Sequence, residues 1–386
     1  MARRADTSTP TGPAGGEPHT RDTTPALGTR GEPGRWKRAV QGARVKLHRR
    51  RFADARWSYL YERGGTDYRA ERAVDGSARV ATANRAARGG PMPDVVQGPV
   101  MNPAVWTWEV PLYFWFGGIA AGSSFVALAC DVGGDHRSAR IARRVALAAL
   151  MPSPPLLVMD LGRPARFLNM LRIFKPRSPM SMGAWCLSVF GGLGTAAVGA
   201  DLIGRRREAQ VIGGANAVVG GYLGSYTGVL LAATAVPLWA RSRLFLGPIF
   251  VSTAVATGAA ATRLTLVACG LPEGHHTRQA LGRVETVAIA TELVLSSWNE
   301  RRLGDLAEDL EQGRAGVLFK FAKWSVRTGL ALRLARARVG TPAHHVASVL
   351  YLAGGLGFRY AWVAAGRGSA RDDEAVAQVA RHETAG

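Results

Sequence analysis

The sequence predicts an all-α membrane protein: about eight transmembrane helices, arranged as two four-helix bundles, behind a disordered basic N-terminal tail. Three observations carry this. From Trp106 onward, apolar runs of roughly 18–25 residues recur, the length that crosses a bilayer core. The mean hydropathy is near zero only because it averages that apolar part with residues 1–105, which are polar, Gly/Pro-rich and Arg-rich. The formal charge of +21 sits in the tail and in the short loops between the runs. Such a distribution suits loops beside anionic headgroups and not a face that reads nucleic acid. The expected partition is a largely disordered extension over 1–105, a transmembrane domain over 106–368 and a polar tail over 369–386.

In order along the chain, residues 1–35 are Thr, Gly, Pro and charge without periodicity, which reads as disorder. Arg3-Arg4 and Arg49-Arg50-Arg51 resemble a twin-arginine start, but no apolar stretch follows either, so no signal peptide is expected here. The segment FADARWSYLYERG, 52–64, holds an aromatic cluster that reads either as a docking element or as a weakly ordered amphipathic patch. The first span is expected over 108–130, with Gly117, Gly118, Ala121 and Gly122 small enough for close helix approach in lipid. The second, 142–159, must kink at Pro152, Pro154 and Pro155. Further spans follow over 183–203, 214–238, 246–270, 283–298, 315–335 and 346–366. The 315–335 run is interrupted by Lys320, Lys323 and Arg327. Eight spans place both termini on one side. The short loops barely discriminate orientation, and the basic tail favours cytoplasmic termini.

The three cysteines, Cys130, Cys186 and Cys269, lie far apart at or inside apolar runs, without a CxxC or CxxCH. They read as small apolar side chains, and iron–sulfur or c-type haem ligation by this chain is not expected. All eight histidines fall outside the apolar runs, in tails or loops, so no haem is expected between the spans, and no metal.

Three features stand out for chemistry. The first is DLGRPARFLNMLRIFKPRSPMSMGAW, 160–185, a polar and proline-broken connection between two apolar runs. Asp160 and Arg163 are three apart and can pair. Pro164 ends a helix, Arg166, Arg172, Lys175 and Arg177 follow, and Ser181 can cap the next helix. The segment reads as a polar floor over an interhelical cavity or as a docking face for a soluble subunit. The second feature is the set of charges inside spans: Glu285 and Glu292, seven apart on one face, with Arg263 and Arg359. A charge at bilayer depth costs a few kcal/mol or more unless paired or wet, so these read as proton relays, ligand contacts or a structural Glu292–Arg263 pair. The third is the Ser225-Tyr226-Thr227-Gly228 segment, with Glu109 and Tyr113 near the start of the first span. Buried tyrosines seek hydrogen-bond partners, and here the partner is either a quinone carbonyl or a neighbouring helix.

The 160–185 stretch closely resembles the most distinctive segment of the NrfD-like, polysulfide-reductase membrane-subunit family, D-L-G-R-P, then an aromatic-Leu-Asn run, then S-P-M-S-x-G-x-W. FGGIAAGSS, YTGVLLAATAVPLW and GGLGFRYAWVAAG agree in order, and ERRLGDLAEDLEQGRAG and GRGSARD are similar to the actinobacterial branch. The likeness runs from about Trp106 to Asp372. It implies a quinone-interacting membrane anchor that holds no haem or iron–sulfur cluster. Such an anchor passes electrons between a 4Fe-4S ferredoxin-type partner, joined to a molybdopterin or cytochrome catalytic subunit, and the menaquinone pool of the cell membrane. Tyr226 matches a tyrosine of the family's quinone site. Tyr113, Arg163 and Asn169 are expected to join it, with Asp160, Glu109 and Glu292 as proton donors or acceptors. Some relatives carry Asn and His at the start of the first span, where this chain has Val110 and Tyr113. The rival readings are a purely structural anchor and a proton-translocating subunit.

Overall fold

A backbone in hydrocarbon has to satisfy its N–H and C=O groups within its own segment, and each apolar run in the computed structural model is helical. The structure describes residues 101, 103–104, 106–161, 170–335, 340, 342–372 and 376, all within one unit, His48–Gly386. The expected disordered extension, Arg163 and Asn169 lie outside the described residues, as does most of the expected C-terminal tail. The helices are α1 Glu109–Val132, α2 His136–Leu150, α3 Ser153–Leu161, α4 Pro179–Leu202, α5 Arg206–Ala232, α6 Pro237–Arg241, α7 Arg243–Ala268, α8 His276–Leu303, α9 Glu308–Glu311, α10 Gly313–Leu334 and α11 Pro342–Ser369. There is no strand among the described residues.

Five segments are long and apolar enough to cross a membrane: Glu109–Val132, His136–Asp160, Pro179–Leu202, Arg243–Ala268 and Pro342–Ser369. Helices α5, α8 and α10 have 27, 28 and 22 residues but are more polar. In α8 the cause is Glu285, Glu292 and Glu300, and in α10 it is Lys320, Lys323 and Arg327. The helices also outrun the apolar stretches from which they were expected. α8 begins at His276, with the His275 ring accepting from the Thr277 N–H as its cap. His344 and His345, expected in a loop, lie in the first turn of α11 for the same reason, and His344 is buried.

Two expectations about proline and serine are refined. The second span breaks into α2 and α3 at Met151–Pro152, because Pro154 and Pro155 supply no N–H and fit only the opening turn of a new helix. The cap of α4 is Ser178, not Ser181: Pro179 occupies the first helical position, which it favours, and the Ser178 hydroxyl accepts from the Ser181 N–H. The Ser181 hydroxyl turns back instead, accepting from the Lys175 N–H at 3.1 Å and donating to the Ile173 carbonyl at 3.3 Å. It therefore staples the 173–178 turn.

Packing groups the long helices into two rings. α1, α2 with α3, α4 and α5 surround one core, and α7, α8, α10 and α11 surround the other; α7 also packs on α1 and α5 and joins the two. The joint is tight at Gly122 of α1 and Gly258 of α7. A Cβ on either glycine would fall inside the backbone of the opposite helix. Buried Arg143 clamps the far end of the first ring. Its guanidinium forks onto Asp201 at 2.6 and 2.9 Å and also pairs with Asp131, joining α2 to α4 and α1 in the bidentate geometry that arginine favours.

Candidate functional site

At the end of the first ring where the 160–185 connection lies, an apolar cavity opens between α1, α3, α4 and α5. Its walls include Val110, Phe114, Leu157, Leu187 and Leu223. Three of the expected site residues converge on it: Tyr113, Tyr226 and Asp160. The two phenols hydrogen-bond one another, and the Asp160 carboxylate lies within electrostatic reach of Tyr113. Both tyrosines are buried, whereas Asp160 is half-exposed at the end of α3. The cavity thus has a polar end with a route toward the surface and an apolar body.

The ring of Tyr226 is held by its neighbours. Phe114 meets it edge-on at 6.3 Å and Tyr222 lies 6.1 Å away. On the α4 side it rests against Gly183, where any Cβ would occupy the position of the phenol itself. Gly183, near the start of α4, is therefore what admits Tyr226. Trp106 closes the cavity from outside. It stacks on Trp239 at 5.1 Å, its carbonyl accepts from Arg367 at 3.2 Å, and the neighbouring Trp108 carbonyl accepts from Tyr360 at 2.8 Å. Met170 and Met180 complete the lining. The free volume is about 50 Å³, bordered by these two methionines, the most adaptable of apolar side chains. Sequence reasoning missed Trp106, Met170, Met180 and Gly183 as lining, although the last three stand in the quoted 160–185 stretch.

Glu109 sits one turn before Tyr113 on α1, buried, and accepts from the Thr107 hydroxyl. It does not line the cavity. Glu292 is not brought to this site at all, because α8 belongs to the second ring. There it lies buried beside a separate small pocket with Thr253, Lys323 and Tyr351, and its Oε1 accepts from Ser296 at 3.0 Å.

The structural Glu292–Arg263 pair does not form. Arg263 instead donates to the His344 carbonyl and the Ser348 hydroxyl, both at 3.1 Å. It joins a cluster in which Glu285 pairs with Arg333 and accepts from Ser348 at 2.8 Å, while Arg333 also meets the His344 Nδ1 at 2.7 Å. Gly282, one turn from Glu285, leaves the room Arg333 needs. Arg359 is fully buried in α11. Its Nη1 donates to the Gly355 carbonyl at 3.0 Å, its cation lies 5.6 Å over Phe250, and Nε and Nη2 have no partner. A Cβ at Gly118 would overlap this guanidinium, so α1 is thinned to admit it. With Glu300 paired to Lys323, the polar groups of α8 from Glu285 to Glu300 run along about 22 Å of helix.

Asp135, His275 and His276 bring ligand atoms within 4.8 Å of one another. Two of the three, Asp135 and His275, are already used in capping. Asp135 accepts from the Ser138 N–H and the Thr277 hydroxyl, and the His275 Nδ1 accepts from the Thr277 N–H.

These features define a helical membrane protein with an apolar, phenol-lined cavity and a separate set of buried charged groups. A family model described as polysulphide reductase, NrfD, matches residues 98–298, more than half of the chain. The chain belongs to the NrfD family, and so is a membrane subunit of a redox complex. The match covers α1 through most of α8; α10 and α11, with the GGLGFRYAWVAAG stretch, lie beyond it. Among curated proteins the chain has no match.

Proposed function

We propose that this chain is the quinone-reactive, multi-pass anchor of an oxidoreductase in the cell membrane. It exchanges electrons between a 4Fe-4S ferredoxin-type partner, itself joined to a molybdopterin or cytochrome subunit, and the menaquinone pool. The eight-span topology belongs to this reading. The observation that carries it is the convergence of Tyr113, Tyr226 and Asp160 on one apolar cavity. A quinone head is flat and apolar with two carbonyl acceptors, and its two-electron reduction takes up two protons. The aromatic and aliphatic walls suit the ring. The linked phenols are donors aimed at a carbonyl, and Asp160, half-exposed, is placed to pass protons between the polar end and the surface. Arg163 and Asn169 follow in the same motif and are assigned to the same roof. Glu109 is assigned a supporting place behind Tyr113.

Tyr226→Phe removes one hydrogen bond and is expected to weaken quinone binding by up to about tenfold. Asp160→Asn removes a proton-transfer group and is expected to slow quinone-linked turnover by about 100-fold or more. Both are read on the intact complex reconstituted with menaquinone. Undiminished turnover in the double variant would remove the site assignment and leave a purely structural anchor.

A second reading, coupled proton movement, is favoured by one observation: the buried Glu285–Arg333–Ser348 cluster, Glu292 and Arg359 together lie within the second ring. Groups of this kind inside a membrane bundle mark ion or proton pathways.

A further inference from the structure

At the opposite end of the bundle from the Tyr113–Tyr226 cavity, a wide pocket of about 460 Å³ opens between α8, α10 and the start of α11. Four arginines line it: Arg263, Arg278, Arg283 and Arg333. Facing them are Glu273, 49% exposed, and the carboxylate of Glu285 behind, which Arg333 and Ser348 already engage. The positive charges exceed the negative by two. Arg278 and Arg333 are each 7% exposed. The Arg278 Nη1 donates to the Leu271 carbonyl at 2.6 Å, and Glu273 is 3.9 Å from its Nη2. In both arginines the Nε–H has no acceptor. Buried guanidinium donors without acceptors are costly, and an anion on this wall would offset that cost. The pocket rim names the kind of anion. Val287 and Leu334 line the same pocket and are 65% and 72% exposed. A free ion has no use for them, whereas an acyl chain running down α8 and α10 covers both.

We propose that this pocket binds the phosphate headgroup of an anionic phospholipid, with the Arg278 and Arg283 guanidiniums on the phosphate and the acyl chains against Val287 and Leu334. The lipid would fill the surface end of the second ring and complete the charge balance of the Glu285 cluster. Basic pockets between membrane helices are suited to such headgroups, and each arginine contributes about fivefold in affinity.

The test uses the full chain, delipidated in mild detergent and titrated separately with phosphatidylglycerol, phosphatidylcholine and inorganic phosphate. Bound lipid is counted by native mass spectrometry. Phosphatidylglycerol is expected to bind in preference to phosphatidylcholine. The Arg278→Gln, Arg283→Gln double variant should weaken it by roughly 25-fold. The Arg206→Gln, Arg207→Gln double variant, an equal charge loss at exposed sites on α5, should leave it unchanged. Arg283 is exposed, so Arg283→Gln alone, expected to cost about fivefold, keeps the test valid if Arg278 proves necessary for folding. Three outcomes overturn the proposal: equal binding of the two lipids, a pocket double variant that behaves like the Arg206→Gln, Arg207→Gln control, or inorganic phosphate that binds at the same concentration and displaces the lipid.

Discussion

Gly183 is where sequence and cavity meet most directly. Its missing side chain is filled by the Tyr226 phenol, so Gly183→Ala forces either the ring or α4 to move. Overpacking of this kind costs about 1–3 kcal/mol, and here the displaced group is a proposed ligand contact. Gly183→Ala is therefore expected to weaken menaquinone binding by tenfold or more, measured by quenching of intrinsic fluorescence in the purified protein. Gly221→Ala on α5, where nothing lies within 4 Å, should change nothing. The grouping of Tyr226, Tyr113 and Asp160 was readable from motif and order. The position of Glu292 was not, because a charge in an apolar run announces burial but not which of two helix rings buries it. Arg333 and His344 were missed for a related reason. Arg333 closes the span expected over 315–335 and His344 lies in the loop expected after it, and only the packing of α10 on α11 brings them to Glu285.

At the scale of elements, the sequence marks breaks and crossings better than lengths. Pro152, Pro154 and Pro155 mark the α2–α3 break, and Gly122 marks the α1–α7 crossing, whereas α8 extends well past its apolar stretch because caps and ion pairs carry its ends. Gly122→Val is expected to destabilise the fold by roughly 3 kcal/mol, at the upper end for overpacking, since the obstruction is backbone and cannot rotate away. Thermal unfolding in detergent reads this directly. The Asp135 turn joins α2 to the start of α8. Burial pushes its carboxyl up, but hydrogen bonds from Ser138 and Thr277 and the nearby His275 more than reverse this, and it stays below the ordinary carboxylate range. A group depressed in the folded state stabilises above its unfolded value of about 3.9 and loses that contribution as pH falls through the folded value. Asp135→Ala should lower stability by about 1 kcal/mol near neutral pH. The difference from the parent protein should shrink below about pH 4.

Across the whole molecule, the two rings divide the chemistry. The first holds the phenol-lined cavity at one end, with buried Glu109 close to it, and the Arg143 clamp at the other. The second holds a smaller pocket beside Glu292 and Tyr351 and runs ionisable groups along its length. Quinone chemistry needs an apolar slot near a partner's redox centre, whereas proton movement needs polar groups at intervals across the bilayer; one ring cannot easily supply both. This separation makes a sharp expectation for Glu292→Gln, which keeps the side chain's shape and its acceptor for Ser296 but removes the charge. If the second ring carries protons, menaquinone affinity in this variant stays within about twofold of the parent, because the pocket beside Glu292 and the Tyr226 cavity share no lining residue. Proton uptake during quinone turnover, followed with a pH-sensitive dye in proteoliposomes holding the intact complex, falls away. An unchanged proton signal would assign the buried charges to holding α8, α10 and α11 together. A parallel loss of quinone affinity would mean that the two rings act on one site.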